Sequence, residues 1–161
     1  GHAADFHAWL SKLARDNPGR RISIVTHSLG SIVTREALRI MEGGDWPEGG
    51  FPVSCVVMLA PPNKGSHVAR DVVRAIPLVR LFVRPLHELS SAPDSPIHGF
   101  HEPSRVPVGI VAGGRDNKVA AGLTELRGQA AHTTVDCGHS FIMDSSATRI
   151  AVLRFLRENK F

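Results

Sequence analysis

The segment Ile22-Ser23-Ile24-Val25-Thr26-His27-Ser28-Leu29-Gly30-Ser31-Ile32-Val33-Thr34-Arg35 constrains the chain more than any other. Ile22 to Thr26 are almost all apolar or β-branched, the pattern of a strand buried on both faces. From Leu29 the apolar residues fall at Ile32, Val33, Ala37, Leu38 and Met41, which is helical spacing. The change of period takes about three residues, and Ser28 sits on it. So abrupt a corner needs a small neighbour, supplied by Gly30, and forces the residue at its tip into strained backbone geometry. It also leaves first-turn N–H groups of the helix unpaired beside the Ser28 hydroxyl. A hydroxyl next to free donors is the arrangement acyl transfer requires, with Ser28 as nucleophile and the Leu29 N–H as an oxyanion donor.

His27-Ser28-Leu29-Gly30 followed by Ser31 to Leu38 resembles the nucleophile elbow of the α/β-hydrolase superfamily, in particular that of bacterial lipases and esterases. One position departs from the family's G-x-S-x-G pattern: Thr26 stands where glycine is usual. Strand and helix should therefore approach less closely. Threonine is the smallest β-branched residue and suits the strand, so the departure is tolerable.

A length of 161 residues, 42% hydrophobic and 21% charged, suits one globular domain over residues 1–161. No apolar run is long enough to span a bilayer. The opening Gly1-His2-Ala3-Ala4-Asp5 lacks the basic and apolar regions of a signal peptide, so a cytoplasmic location is expected. Cys55 and Cys137 fall in predicted strands and read as buried free thiols, with a disulfide between neighbouring strands left open. The formal charge of +4 raises nucleic acid as a partner. The arginines are scattered, however, aromatics make up 6%, and no basic stripe is interleaved with stacking residues. Nucleic-acid binding is set aside on that ground.

In chain order, Ala3 to Arg15 reads as an amphipathic helix burying Phe6, Leu10, Leu13 and Trp9, ended by Asp16-Asn17-Pro18-Gly19. After the elbow, the helix should run to about Met41. Val53 to Leu59 is a second buried strand, which implies a parallel pair with a right-handed crossover. The loop Ala60-Pro61-Pro62-Asn63-Lys64-Gly65-Ser66 leaves the strand end at which ligands bind in open α/β sheets. It resembles the segment after the corresponding strand in many bacterial lipases, so Pro61, Pro62 and Asn63, with His27, are expected along the substrate cleft. Ser66 is placed to cap a further helix. Residues 70–105 are broken by Pro77, Pro85, Pro93, Pro96 and Pro103 and are expected to form a lid or surface excursion. Within them, His98, His101 and Glu102 lack the spacing of a helical zinc pair, and no metal is assigned. Val106 to Ala112 and His132 to Cys137 complete a sheet of about four mostly parallel strands with helices on both faces, a truncated or minimal version of the family's fold. Residues 147–158 form a closing core-facing helix, with Ile150, Leu153 and Leu156 as its apolar face and Val152 and Phe155 beside it.

Ser28, Asp116 and His139 each follow a predicted strand, so all three should emerge at one sheet edge. Their order along the chain is that of α/β-hydrolases. His139 would take the Ser28 proton, and Asp116 would orient the ring. Other candidates have the wrong address. His27 should diverge from Ser28 across the corner, His132 lies at the far end of its strand, Asp136 is inside that strand, and Asp144 follows the histidine. Gly113 to Val119, then Gly138-His139-Ser140-Phe141, resembles the C-terminal third of the family.

The resemblance implies a cofactor-independent serine hydrolase acting on a small ester or lipid. Transfer of the acyl group to another acceptor is a variant of that reading. The resemblance covers only the part of the fold from the elbow onward, and no H-G-G-type stretch supplies a second oxyanion donor. A non-catalytic version of the fold, kept as a binding or assembly module, is the alternative. The strand Ile22 to Thr26 would have one unpaired edge, which predicts a homo-oligomer or a second chain completing the sheet.

Overall fold

The computed structural model describes residues 2–44, 50–65, 102–103 and 105–161. Helix α1 (His2–Asp16) leads into β1 (Ile22–His27), which passes through Ser28 into α2 (Leu29–Glu42). Strands β2 (Val53–Leu59) and β3 (Val108–Gly113) follow, then the short α3 (Ala121–Thr124), β4 (Ala131–Val135), a 3-10 turn at His139–Phe141, and α4 (Ser146–Glu158). The predicted lid at 70–105 lies outside the described residues but for Glu102, Pro103 and Arg105, as does the helix expected from Ser66.

The four strands form one sheet in the order β1-β2-β3-β4, with every pairing parallel. Alternation along β2 shows why the strands read as nearly continuous apolar runs. Val53, Val56 and Met58 enter one core with Leu10, Ile24, Leu38, Met41, Val108 and Ile110. Cys55, Val57 and Leu59 enter a second core with Val111, Val135, Ile142 and Phe155. Helices α1 and α2 build the first core and α4 the second, so helices do cover both faces. Both cysteines are buried free thiols.

Two expected faces differ. Trp9 is exposed, its ring stacked on Phe6 with centroids 5.9 Å apart, while Leu10 makes the buried contact of α1. On α4, Ile150 and Leu153 are 68% and 54% exposed, whereas Thr148 and Phe155 are buried. Gly109 explains the turn of the helix. A Cβ there would lie 2.6 Å from the Phe155 ring, so the missing side chain is the socket into which Phe155 fits. Seating that ring on β3 rotates Ile150 and Leu153 away from the sheet.

Candidate active site

Register brings the strand ends together. His27 pairs with Leu59, Leu59 with Val111, and Gly113 with Val135, so β1, β3 and β4 all end at the same edge. Ser28 is the first residue past β1. Asp116 is three residues past β3, and His139 four past β4.

Ser28 holds φ 51° and ψ −125°, a positive-φ conformation that residues other than glycine avoid. Its N–H donates to the Leu59 carbonyl at 2.9 Å, which locks the corner to β2. As the N-cap of α2 it makes no side-chain capping bond, so the hydroxyl is free for other use. Leu29 opens α2, and its N–H is among the first-turn donors that helix geometry leaves unpaired.

Thr26, the departure from the glycine pattern, fits without displacing the helix. A Cβ built on Gly30 would still be 3.8 Å from the Thr26 Cβ, and the Thr26 hydroxyl bonds that of Ser31 at 2.9 Å. The lost glycine is thus replaced by a strand-to-helix hydrogen bond across the elbow.

The three side chains meet in one hydrogen-bonded row. His139 Nε2 lies 2.9 Å from Ser28 Oγ, and His139 Nδ1 lies 2.7 Å from Asp116 Oδ2. A carboxylate only accepts, so Nδ1 carries the proton; in the neutral ring Nε2 is then the acceptor for the serine hydroxyl. Asp116 is held by its other oxygen, Oδ1, which takes the N–H groups of Lys118 and Val119 at 2.8 Å each. Its side chain is fully buried, and His139 is 8% exposed. Such a row can move a proton from hydroxyl to imidazole while the carboxylate stays in place.

Gly113 makes the row possible and carries no chemistry of its own, which is why reading for reactive groups passes over it. A Cβ at Gly113 would meet the Cys137 carbonyl at 2.8 Å and Asp116 Cβ at 3.2 Å. The two loops that carry the acid and the histidine cross at this point. Arg115 N–H to the Cys137 carbonyl, 3.0 Å, ties them together. The signal is the placement of glycine at the last position of a buried strand.

The rejected candidates lie elsewhere. His132 bonds the Thr124 hydroxyl at 2.8 Å, and Asp136 pairs with Arg115 at the surface. Burial lowers the pKa of His132 and likewise of His27.

The loop expected along the cleft packs inward. Pro61, Pro62 and Asn63 are buried. Asn63 turns inward, donating to the Thr124 carbonyl at 2.7 Å and accepting at Oδ1 from the buried Arg35 at 3.3 Å. The loop braces α2 against α3, because an interior guanidinium and amide satisfy each other better than either would alone. His27 does line a cavity of about 410 Å³ on the α4 side of β1, with Val25, Leu59, Met143, Val152 and Leu153. Among the described residues there is no cluster that could hold a metal ion, and no helix is long and apolar enough to cross a membrane.

The model of a family described as alpha/beta hydrolase of unknown function (DUF900) matches residues 2–92, more than half of the chain. The chain belongs to this family. Comparison with curated proteins gives no match. Solved structures agree on the fold. A Bacillus licheniformis lipase in its mature form is similar with a TM-score of 0.62 and 16% identity, over 96% of this chain and 71% of the lipase. A Pyrococcus furiosus esterase gives 0.60 and 19%, over 96% of this chain and 60% of the esterase. The Legionella pneumophila phospholipase PlaB gives 0.66 and 15%, over 98% of this chain and 48% of the phospholipase. The chain therefore spans between 48% and 71% of the length of these relatives.

Proposed function

We propose that the chain is a serine hydrolase of carboxylic esters, with Ser28 as nucleophile, His139 as base and Asp116 as the orienting acid. The observation that carries this reading is the unbroken row from Ser28 Oγ through His139 to Asp116, starting from a serine held at φ 51°. In the reaction, Oγ attacks the ester carbonyl as its proton passes to His139 Nε2. The imidazolium is stabilised by the buried carboxylate, and the oxyanion develops near the Leu29 N–H. Collapse transfers the proton to the departing alcohol and leaves an acyl group on Ser28. Water then enters, gives its proton to His139, and releases the acid. The lipase and esterase neighbours fit this substrate class, though at 16–19% identity they speak for the fold.

The test is a fluorophosphonate probe together with turnover of short p-nitrophenyl esters. Stoichiometric labelling at Ser28 and measurable turnover are expected, both abolished by Ser28→Ala. His139→Ala should lose nearly as much, because members of such a row fail as a unit. Labelling of the wild type at another residue, or full turnover by the His139 variant, rejects the assignment. Labelling of Ser28 without turnover of any ester favours an activated serine that lacks its oxyanion hole, and absence of both favours the fold acting as a binding module.

A further inference from the structure

The sharp corner at Ser28 predicts that the His27 side chain diverges from it. That side chain instead reaches the same residue that Ser28 reaches. His27 Nε2 lies 3.0 Å from the backbone carbonyl oxygen of His139, and the two rings stand 5.0 Å apart at 47°. A carbonyl only accepts, so His27 is the donor through Nε2–H. Two consecutive residues at the end of β1 thus grip His139 at two places: Ser28 on the ring and His27 on the main chain.

The main-chain grip matters because of where His139 stands. It is the first residue of a single 3-10 turn, following an extended Gly138 and four residues past the end of β4. The main-chain to main-chain bonds between the two loops hold Val135 and Cys137, through the N–H groups of Gly114 and Arg115. None of those bonds involves His139 itself. The His27 bond, across 112 positions of sequence, fixes its peptide to the strand that carries the serine.

We propose that His27 is a positioning residue for the base: its Nε2–H holds the His139 main chain so that the ring meets Ser28 Oγ and Asp116 at once. The proposal rests on the reading of Ser28, His139 and Asp116 as the catalytic row. A neutral His27 suits the task, since a second cation 5.0 Å from His139 would oppose imidazolium formation. Burial favours that neutral form and outweighs the bond to the His139 carbonyl, which with the Asp116 charge acts against it, while the charges of His139 and Lys118 act with it.

Two variants isolate the donor. His27→Leu keeps bulk and removes the N–H, and His27→Gln keeps an N–H at similar reach. His27→Leu should lower kcat and the rate of probe labelling roughly tenfold with KM unchanged, within the hundredfold that about an ångström of misplacement costs. His27→Gln should restore most of both. A second readout does not depend on turnover: the proton NMR signal of the His139 Nδ1–H bound to Asp116. It should be sharp in the wild type and His27→Gln, and broadened by solvent exchange in His27→Leu. If the wild type neither labels nor turns over, the catalytic reading fails, while the NMR comparison still decides the positioning role. Equal behaviour of the Leu and Gln variants in that signal overturns the proposal. A raised KM at constant kcat would make His27 a cleft wall and overturn it as well.

Discussion

The two faces of β1 are built to different standards. On one, Ile24 is 6% exposed beneath α2, packed with Leu38 and Met41, which are fully buried. On the other, Val25 is 46% exposed, and Met143 and Leu153, which share its cavity, are 50% and 54% exposed. The cause is the seating of α4. Phe155 drops into the gap above Gly109, so the helix packs on β2 and β3 and, among the described residues, leaves Val25 of β1 largely open on that side. The difference teaches that the strand feeding Ser28 is secured from the α2 side. The face carrying His27 contributes position more than packing.

The comparison can be broken most decisively at Leu38. Leu38→Ala should destabilise the fold by about 3 kcal/mol, the usual cost of a cavity under a closed core. Denaturant unfolding measures it, and a loss no greater than that of Leu153→Ala would erase the contrast between faces. Next is Gly109→Ala, which should cost roughly 1–3 kcal/mol by forcing Phe155 out of its socket. A Tm unchanged in that variant would mean that Phe155 does not set the position of α4.

A smaller effect depends on pH. His27 and His132 have pKa values lowered by burial from an ordinary 6.5. Below pH 6.5 the unfolded chain therefore binds protons that the folded chain refuses, so stability present above that pH declines as acid is added. Tm between pH 7.5 and 5.5 should fall in the wild type and fall less in His27→Gln; an equal fall would mean that His27 does not contribute to the acid sensitivity. The smallest effect is expected on the bare face, where Leu153→Ser should change stability by less than about 0.5 kcal/mol. A large loss there would show that the surface is covered in solution.

The central strands were legible because β2 and β3 are short apolar runs buried on both faces, and β2 matches its expected bounds, Val53–Leu59; β1 reads the same way in the sequence but is buried only at Ile24. The row of Ser28, Asp116 and His139 followed from strand ends and chain order, and the geometry brings those three side chains together. What was not legible depends on partners distant in sequence. Helical spacing in α4 put Ile150, Leu153 and Leu156 on the apolar face with Phe155 at its side, and only the empty position at Gly109 turns the helix so that Phe155 is the buried residue. Asn63 looked like a loop residue at a ligand edge until the buried Arg35 on α2 gave it an inward partner. His27 could not be assigned without knowing where the His139 carbonyl points.

The bonds at either end of β1 carry one more consequence. Ile22 N–H donates to the Pro52 carbonyl and Ser28 N–H to the Leu59 carbonyl, so even-numbered positions of the strand face β2. Ser23, Val25 and His27 then aim their amides the opposite way, where no strand stands among the described residues. In deuterated water the strand should behave as a comb, with Ile24 and Thr26 retaining their protons long after Ser23, Val25 and His27 have exchanged. Any polypeptide that joins this edge, a second copy or a separate chain, would slow the fast teeth of the comb and leave the slow ones unchanged. The isotope pattern of five amides therefore reports on whether the sheet ends at its nucleophile strand or continues beyond it.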